Sequence, residues 1–324
     1  MASWAEFEEK EFETLANAAL VMQQLPGGMP VQLFSPGQVL EKTLGFDFAT
    51  YVDPLGPLYR ALFGATPGAP GVRSGPFPSR QVPTSAATGL LNVFLQYKRP
   101  QFFDQRHRSK VQPSGQPHLA FMIEERSSKG TDKYAQVGAL DNLEVALQSQ
   151  ALVRYVCPST WQKHELYRRF SSGELLTTSA FVAPRLLRLA SQSGYHRRWT
   201  FLEATPGRGI PNPEGIELPA ETGVDFTMTL TETRQGLGSP RTTTELFASA
   251  TERTSTTRGS LRQYRKSSDP GQFREHEQQE RRMRDEVRLT PQEHQEIVNE
   301  AVSLALVARD LRIQWMIAAA PDTA

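Results

Sequence analysis

The sequence predicts a mixed α/β protein, and three observations carry that prediction. Apolar runs of strand length, GLLNVFLQY at 89–97 and ALVRYVCP at 151–158, alternate with helical periodicity such as AQVGALDNLEVALQ at 135–148. The order helix, strands, helix, strand belongs to sheets flanked by helices. A chain of 324 residues with 38% hydrophobic composition is long and apolar enough for a sizeable core, in one large or two smaller domains.

Taken in order, residues 3–25 read as a helix, with Ser3 at its N-cap and the glycines at 27–28 as its stop. VQLFSPGQVLEKTLGFDFATYV, from Val31, gives a short extended piece and a helical turn that Gly45 can close, with a strand expected from Phe46. Residues 53–88 are an insert rich in Pro, Gly, Ser and Thr, too irregular for core. The run 89–97 is the most strand-like stretch, apolar on both faces up to Leu95, as a buried central strand is. HLAFMIEE from His118, SAFVAP from Ser179 and RRWTFLEA from Arg197 are further strands. TWQKHELYRRFSSGE is a short helix ending near Gly173. Between 206 and 270 the pattern weakens, with VDFTMTLTE and TTTELFASA as a strand pair in a partly flexible segment. The charges of 271–288 alternate as on a solvated helix. Thr290, Pro291 and Glu293 then form a capping box opening a helix that runs to about Ala320. Its apolar residues Ile297, Leu304, Leu311 and Trp315 require something to cover them, its own domain or a partner.

Composition narrows the function. With 36 Lys and Arg against 35 Asp and Glu the net charge is +1, which excludes a histone-like polycation. A mean hydropathy of −0.46 means that some segments stay outside the core. The single cysteine, Cys157, excludes an internal disulfide and a thiolate zinc site, and suits a reducing cytoplasm. Cys157 lies in an apolar strand, where an inert buried thiol is expected. His107, His118, His164, His196, His276 and His294 have no zinc-ligand spacing. No apolar run is long enough to span a bilayer, and no phosphate-cradling P-loop is present.

The informative site is Gln96-Tyr97-Lys98. Residues two apart in a strand share a face, so Gln96 and Lys98 point one way and Tyr97 the other. Burying a lysine end calls for an anionic neighbour. GFDFATYV offers Asp47, opposite in facing to Phe46 and Phe48. In the first helix Glu8 falls within the stripe Trp4, Phe12, Leu15, Ala19 and Met22, whereas Glu9 and Glu13 face more nearly outward. Glu41 is an alternative acid, better suited to a helix surface. Asp47 and the Gln96 carbonyl are hard oxygen donors for Mg²⁺ or Mn²⁺, and Glu8 completes the shell directly or through water. Lys98 would orient or deprotonate a metal-activated water and neutralise developing charge, the parts of phosphodiester hydrolysis.

With these residues the chain resembles the restriction-endonuclease-like, PD-(D/E)xK nuclease superfamily over roughly residues 3–205. The likeness is to a bacterial group with a GFD…QYK pattern. The resemblance implies a mixed sheet flanked by helices, with Asp47 and Gln96 as metal ligands, Lys98 as the catalytic lysine and Glu8 as the helix acid. It also implies DNA cleavage in bacterial defence against foreign DNA. Gln96 stands where the family usually has Asp or Glu, a weaker ligand that leaves open an inactive, nucleic-acid-binding or sensing member.

Arg99, Arg106, Arg108 and Lys110 follow the strand, and Arg197 and Arg198 lie beside Tyr195 and Trp199. Such clusters track phosphates or are simply solvated. The sequence thus divides into a nuclease-like domain (1–205), a variable segment (206–270) and a helical region (271–324). The helix 291–320 is a candidate surface for a homodimer or a partner protein, the basis of an alternative adaptor role.

Overall fold

The computed structural model describes residues 2–21, 32–34, 91–104, 116–123, 136–188, 196–212, 216–236, 243–268, 270–287 and 292–319. It is a mixed α/β structure with two sheets. The chain divides into two compact units, one of residues 1–29, 95–145 and 153–229, the other of residues 30–94, 146–152 and 230–324.

In the first unit, β1 (Ala2–Trp4), β4 (Gln101–Phe103), β5 (His118–Met122), β8 (Arg198–Phe201), β9 (Arg208–Asn212) and β10 (Leu218–Pro219) form a six-stranded sheet in that order. Every neighbouring pair is antiparallel, with Phe103 opposite His118 and Phe121 opposite Trp199. Trp199 is fully buried, and Gly209 leaves room for its indole: a Cβ there would sit 2.3 Å from the ring. The helices of this unit are α1 (Glu9–Val21), α2 (Gln136–Leu147), α3 (Lys163–Ser171) and most of α4 (Gly223–Gln235).

The other sheet runs in the order β2 (Gln32–Phe34), β11 (Gln314–Ala319), β3 (Leu91–Tyr97), β6 (Ala151–Pro158), β7 (Ser179–Val182). Residues of β3 and β6 are buried along their whole length, as two-sided apolar strands must be. In the second unit α5 (Thr243–Ser268), α6 (Pro270–Val287) and α7 (Gln292–Leu311) pack on one another. Arg258 and Arg262 of α5 both donate to Glu280 of α6, at 2.7 and 2.6 Å.

Four expectations are corrected. Residues 2–4 form a strand and α1 begins at Glu9, so Ser3 caps nothing and neither Trp4 nor Glu8 belongs to a helical stripe. The buried face of α1 is Phe12, Ala16, Ala19 and Leu20. VDFTMTLTE is helix α4: Thr222 and Asp225 cap it reciprocally, and Phe226 and Leu230 are buried one turn apart. TTTELFASA belongs to helix α5.

The C-terminal helix ends at Leu311, not near 320, and Trp315 lies on a strand whose indole donates to Asn92 Oδ1 at 3.0 Å. Arg312 takes a left-handed conformation (φ 56°), with its N–H on the Arg309 carbonyl and that of Ile313 on the Ala308 carbonyl. This is a Schellman stop. Val302, Leu304, Leu306 and Leu311 are buried within the chain, so these residues offer no open apolar face. The strand expected from Phe46, the 53–88 insert, Thr290 and Pro291 lie outside the described residues.

Candidate functional site

The end of β3 delivers the alternation that strand geometry demands. Tyr97 turns toward α1, its ring edge-on to Phe12 and its hydroxyl donating to Asn17 Oδ1 at 2.5 Å. Burial, reinforced by the charge of Glu13, pushes the Tyr97 phenol well up, so it stays neutral. Gln96 and Lys98 take the other side and meet Gln136, the first residue of α2.

Gln136 joins the pair through both ends of its amide. Its Nε2 donates to Gln96 Oε1 at 2.8 Å, and its Oε1 accepts from Lys98 Nζ at 3.5 Å. Gln96 is 5% exposed and donates its own Nε2 to the Tyr97 carbonyl at 3.0 Å. The Lys98 backbone N–H bonds to the Val156 carbonyl of β6, and its ammonium lies 5.7 Å from the centre of the Tyr155 ring. A cation over a buried aromatic face is stabilised by the ring quadrupole.

Glu8 is placed elsewhere. It precedes α1, its side chain is 75% exposed, and its carboxylate accepts from Arg99 Nη1 at 2.9 Å. Arg99 also donates to the Ala5 carbonyl and lies over Trp4, so it anchors the entry to α1. Glu9 is the acid in phase with the buried face, three residues before Phe12 and seven before Ala16. Burial pushes the Cys157 thiol well up, the Glu9 charge pushes it further, and Lys98 pulls it down. The charges of Glu9 and Lys98 thus act in opposite senses on Cys157 of β6. The thiol itself is buried and held protonated, as expected of an inert cysteine.

The remaining residues are distributed as follows. Arg198 is half-buried, over the Phe103 ring at 5.1 Å and bonded to Met122 Sδ, and burial lowers its pKa. Arg197 is exposed, Trp199 is core, and His118 stacks on Phe103 with Nδ1 near the Gln116 carbonyl, a structural histidine. Asp47, Glu41, Arg106, Arg108, Lys110 and Tyr195 lie outside the described residues. Sequence reasoning missed Gln136, for which a lone glutamine at a helix start gives no signal. It also set Glu9 facing outward, whereas taking Phe12, Ala16 and Leu20 as the stripe puts Glu9 in phase with it.

Behind the site, Arg154 of β6 is buried among carboxylates. It donates to Glu144 Oε1 of α2 at 2.7 Å and to both oxygens of Glu221, which also accepts from Thr229. Burial raises the Glu144 carboxyl despite Arg154, while Glu221 and Glu144 hold the guanidinium above its ordinary value against its own burial. This network ties α2, and with it Gln136, to β6.

No protein family, curated protein or solved structure matches the chain. Among the described residues no three His, Cys, Asp or Glu side chains gather to hold a metal ion. The described side chains at this strand end are two amides and an ammonium, and the carboxylate expected with them, Asp47, lies outside the described residues. Gln96 Oε1 is a neutral oxygen with a second lone pair beyond the one Gln136 uses, and Asp47 is the carboxylate the sequence offers.

Proposed function

We propose that the chain is a metal-dependent nuclease of restriction-endonuclease-like fold that hydrolyses DNA phosphodiester bonds. Its setting is the bacterial cytoplasm, its role defence against foreign DNA. The observation that carries this reading is the meeting of Gln96 and Lys98 on one side of a buried strand end, joined through Gln136. Gln96 and Asp47 would hold Mg²⁺ or Mn²⁺, and Glu9, rather than the outward Glu8, is the acid of α1 suited to act with them. When bound, the cation supplies an activated water and offsets phosphate charge. Lys98 brings a positive charge to the phosphoryl oxygens and orients the attacking water, its ammonium steadied by Gln136 and Tyr155. Arg197, and Arg99 in part, present charge for the DNA backbone. Among the described residues no helix is long and apolar enough to cross a membrane.

The test is cleavage of supercoiled and linear DNA by purified protein in Mg²⁺, Mn²⁺ or EDTA, beside Lys98→Ala. Metal-dependent cleavage by the wild type and its loss in the variant are expected. Equal cleavage by both refutes the role of Lys98.

One observation favours a second reading, a catalytically silent protein that binds or senses nucleic acid. Gln96 is uncharged and its oxygen is already hydrogen-bonded. Salt-sensitive DNA binding with no cleavage in either metal would select that reading.

A further inference from the structure

We propose that α6 is a strap over a phosphate-binding face of α5, its carboxylates occupying guanidinium groups that a nucleic-acid backbone would otherwise take. The partner, DNA, is taken from the reading above, on which the inference rests for that identity. Arg258, Arg262 and Lys266 recur every four residues on α5 and form one basic stripe. Glu277 and Glu280 of α6 meet it. Glu280 accepts from Arg258 Nη2 at 2.7 Å, from Arg262 Nη1 at 2.6 Å and from Arg284 Nε of its own helix at 3.3 Å. Arg262 Nη2 donates to Glu277 Oε1 at 3.2 Å, and its guanidinium lies over the Phe273 ring at 5.8 Å. Burial raises the Glu280 carboxyl, but Arg258, Arg262 and Arg284 bring it below its ordinary value, so it stays charged. From α7, Asp310 lies 4.0 Å from Arg258 Nε and also pairs with Arg309.

This seam is ionic. Among the described side chains of α6 none is buried, whereas α5 has Ala250 and Thr254 fully buried. Ion pairs at partly exposed positions contribute little and weaken with salt, so another anion can replace them. Guanidinium groups take phosphate with the same forked geometry as carboxylate. With α6 lifted, Arg258 and Arg262 would join the exposed Lys266 in a three-cation row, spaced about 6 Å apart along the helix. Such a row tracks phosphates, and Glu277 and Glu280 stand in for them.

The test is binding of a fluorescein-labelled DNA duplex by the full chain, read by anisotropy in EDTA over about 50–200 mM salt. Glu277→Gln and Glu280→Gln together should tighten binding at the low-salt end by roughly 10-fold. The salt slope should steepen by about 1.8, the increment for two added phosphate contacts. Adding Arg258→Gln and Arg262→Gln should return affinity and slope to wild type. A merely structural seam would leave the slope unchanged when its acids are neutralised. In the wild type, saturating DNA should speed amide exchange in α6 by roughly 10-fold and leave α7 unchanged, because only the strap opens. That measurement decides the matter even where the double variant does not fold. Unchanged binding by a folded double variant, binding that stays tight without Arg258 and Arg262, or unaltered or slower exchange in α6 overturns the inference. Cleavage by the wild type alongside any of these leaves the nuclease reading standing. The expected binding and exchange with no cleavage in Mg²⁺ or Mn²⁺ supports the strap and overturns the nuclease reading.

Discussion

Replacing Arg154 by Leu should be among the most damaging single changes in the first unit, and the reason is the company Arg154 keeps. Its side chain is 4% exposed, and those of Glu144 and Glu221 are 15% and 22% exposed. The guanidinium makes four hydrogen bonds, two of them to Glu221, one to Glu144 and one to the Val153 carbonyl. Leucine would fill part of the volume but leave two carboxylates facing a buried strand. Burial already raises Glu144 with its partner present, so without it the carboxyl must take up a proton or stay charged at a cost. Breaking a buried pair by deleting one member costs about 3–5 kcal/mol. With an m-value of about 3 kcal/mol/M in urea, that is a fall in midpoint of about 1–1.7 M. Urea unfolding followed by fluorescence in a Trp315→Phe background reads Trp4, Trp161 and Trp199, all in the first unit. A fall below about 0.3 M, less than 1 kcal/mol at that slope, would refute the reasoning, because the carboxylates would then be hydrated enough to need no cation. Replacing all three residues by Leu or Met should recover most of the loss, since apolar substitutes for buried ion pairs are often neutral.

Three further outcomes follow from local geometry. Arg312→Gly should raise the thermal midpoint of the second unit by relieving a left-handed backbone at φ 56°, a gain of about 0.5–1 kcal/mol; an unchanged or lower midpoint would contradict it. Gly223→Ala should destabilise α4 by about 1–3 kcal/mol, because the new Cβ would lie 2.4 Å from the Leu176 carbonyl oxygen; wild-type thermal stability would show that the helix shifts freely. Glu165 is held down to about 2 by hydrogen bonds from Arg168 and Arg169. A folded value below the ordinary 4.5 means stability that is present above pH 4.5 and lost as pH falls toward 2. Glu165→Gln should therefore flatten the dependence of the melting temperature on pH in that window, and a curve parallel to the wild type would count against the pairing.

The strands at 91–97 and 151–158 and helix α2 were legible because burial on two faces, or on one helical stripe, leaves a pattern in the residues themselves. Helix ends show where such legibility stops. α3 and α7 close with the same motif: Gly173 (φ 75°) follows α3 and Arg312 follows α7. Glycine announces the left-handed position and arginine hides it, so the apolar run through Trp315 and Met316 read as continuing helix. VDFTMTLTE misled for a related reason. Its period-two alternation imitates a strand, while the caps and the Phe226–Phe181 stack (4.7 Å) decide for helix. The same logic governs the site. Strand alternation alone put Gln96 and Lys98 on one side and Tyr97 on the other. Glu8 was misplaced because helical phase was carried through residues that are not helical. Gln136, 40 residues from Gln96, meets it only through tertiary packing.

Locating a bound cation tests the account most directly. Crystals soaked in Mn²⁺ should show one anomalous peak at about 2.0–2.3 Å from Gln96 Oε1, the range of hard-cation oxygen bonds. That peak should vanish in Asp47→Asn. Manganese bound only elsewhere, with Gln96 Oε1 still occupied by Gln136 alone, would contradict the account.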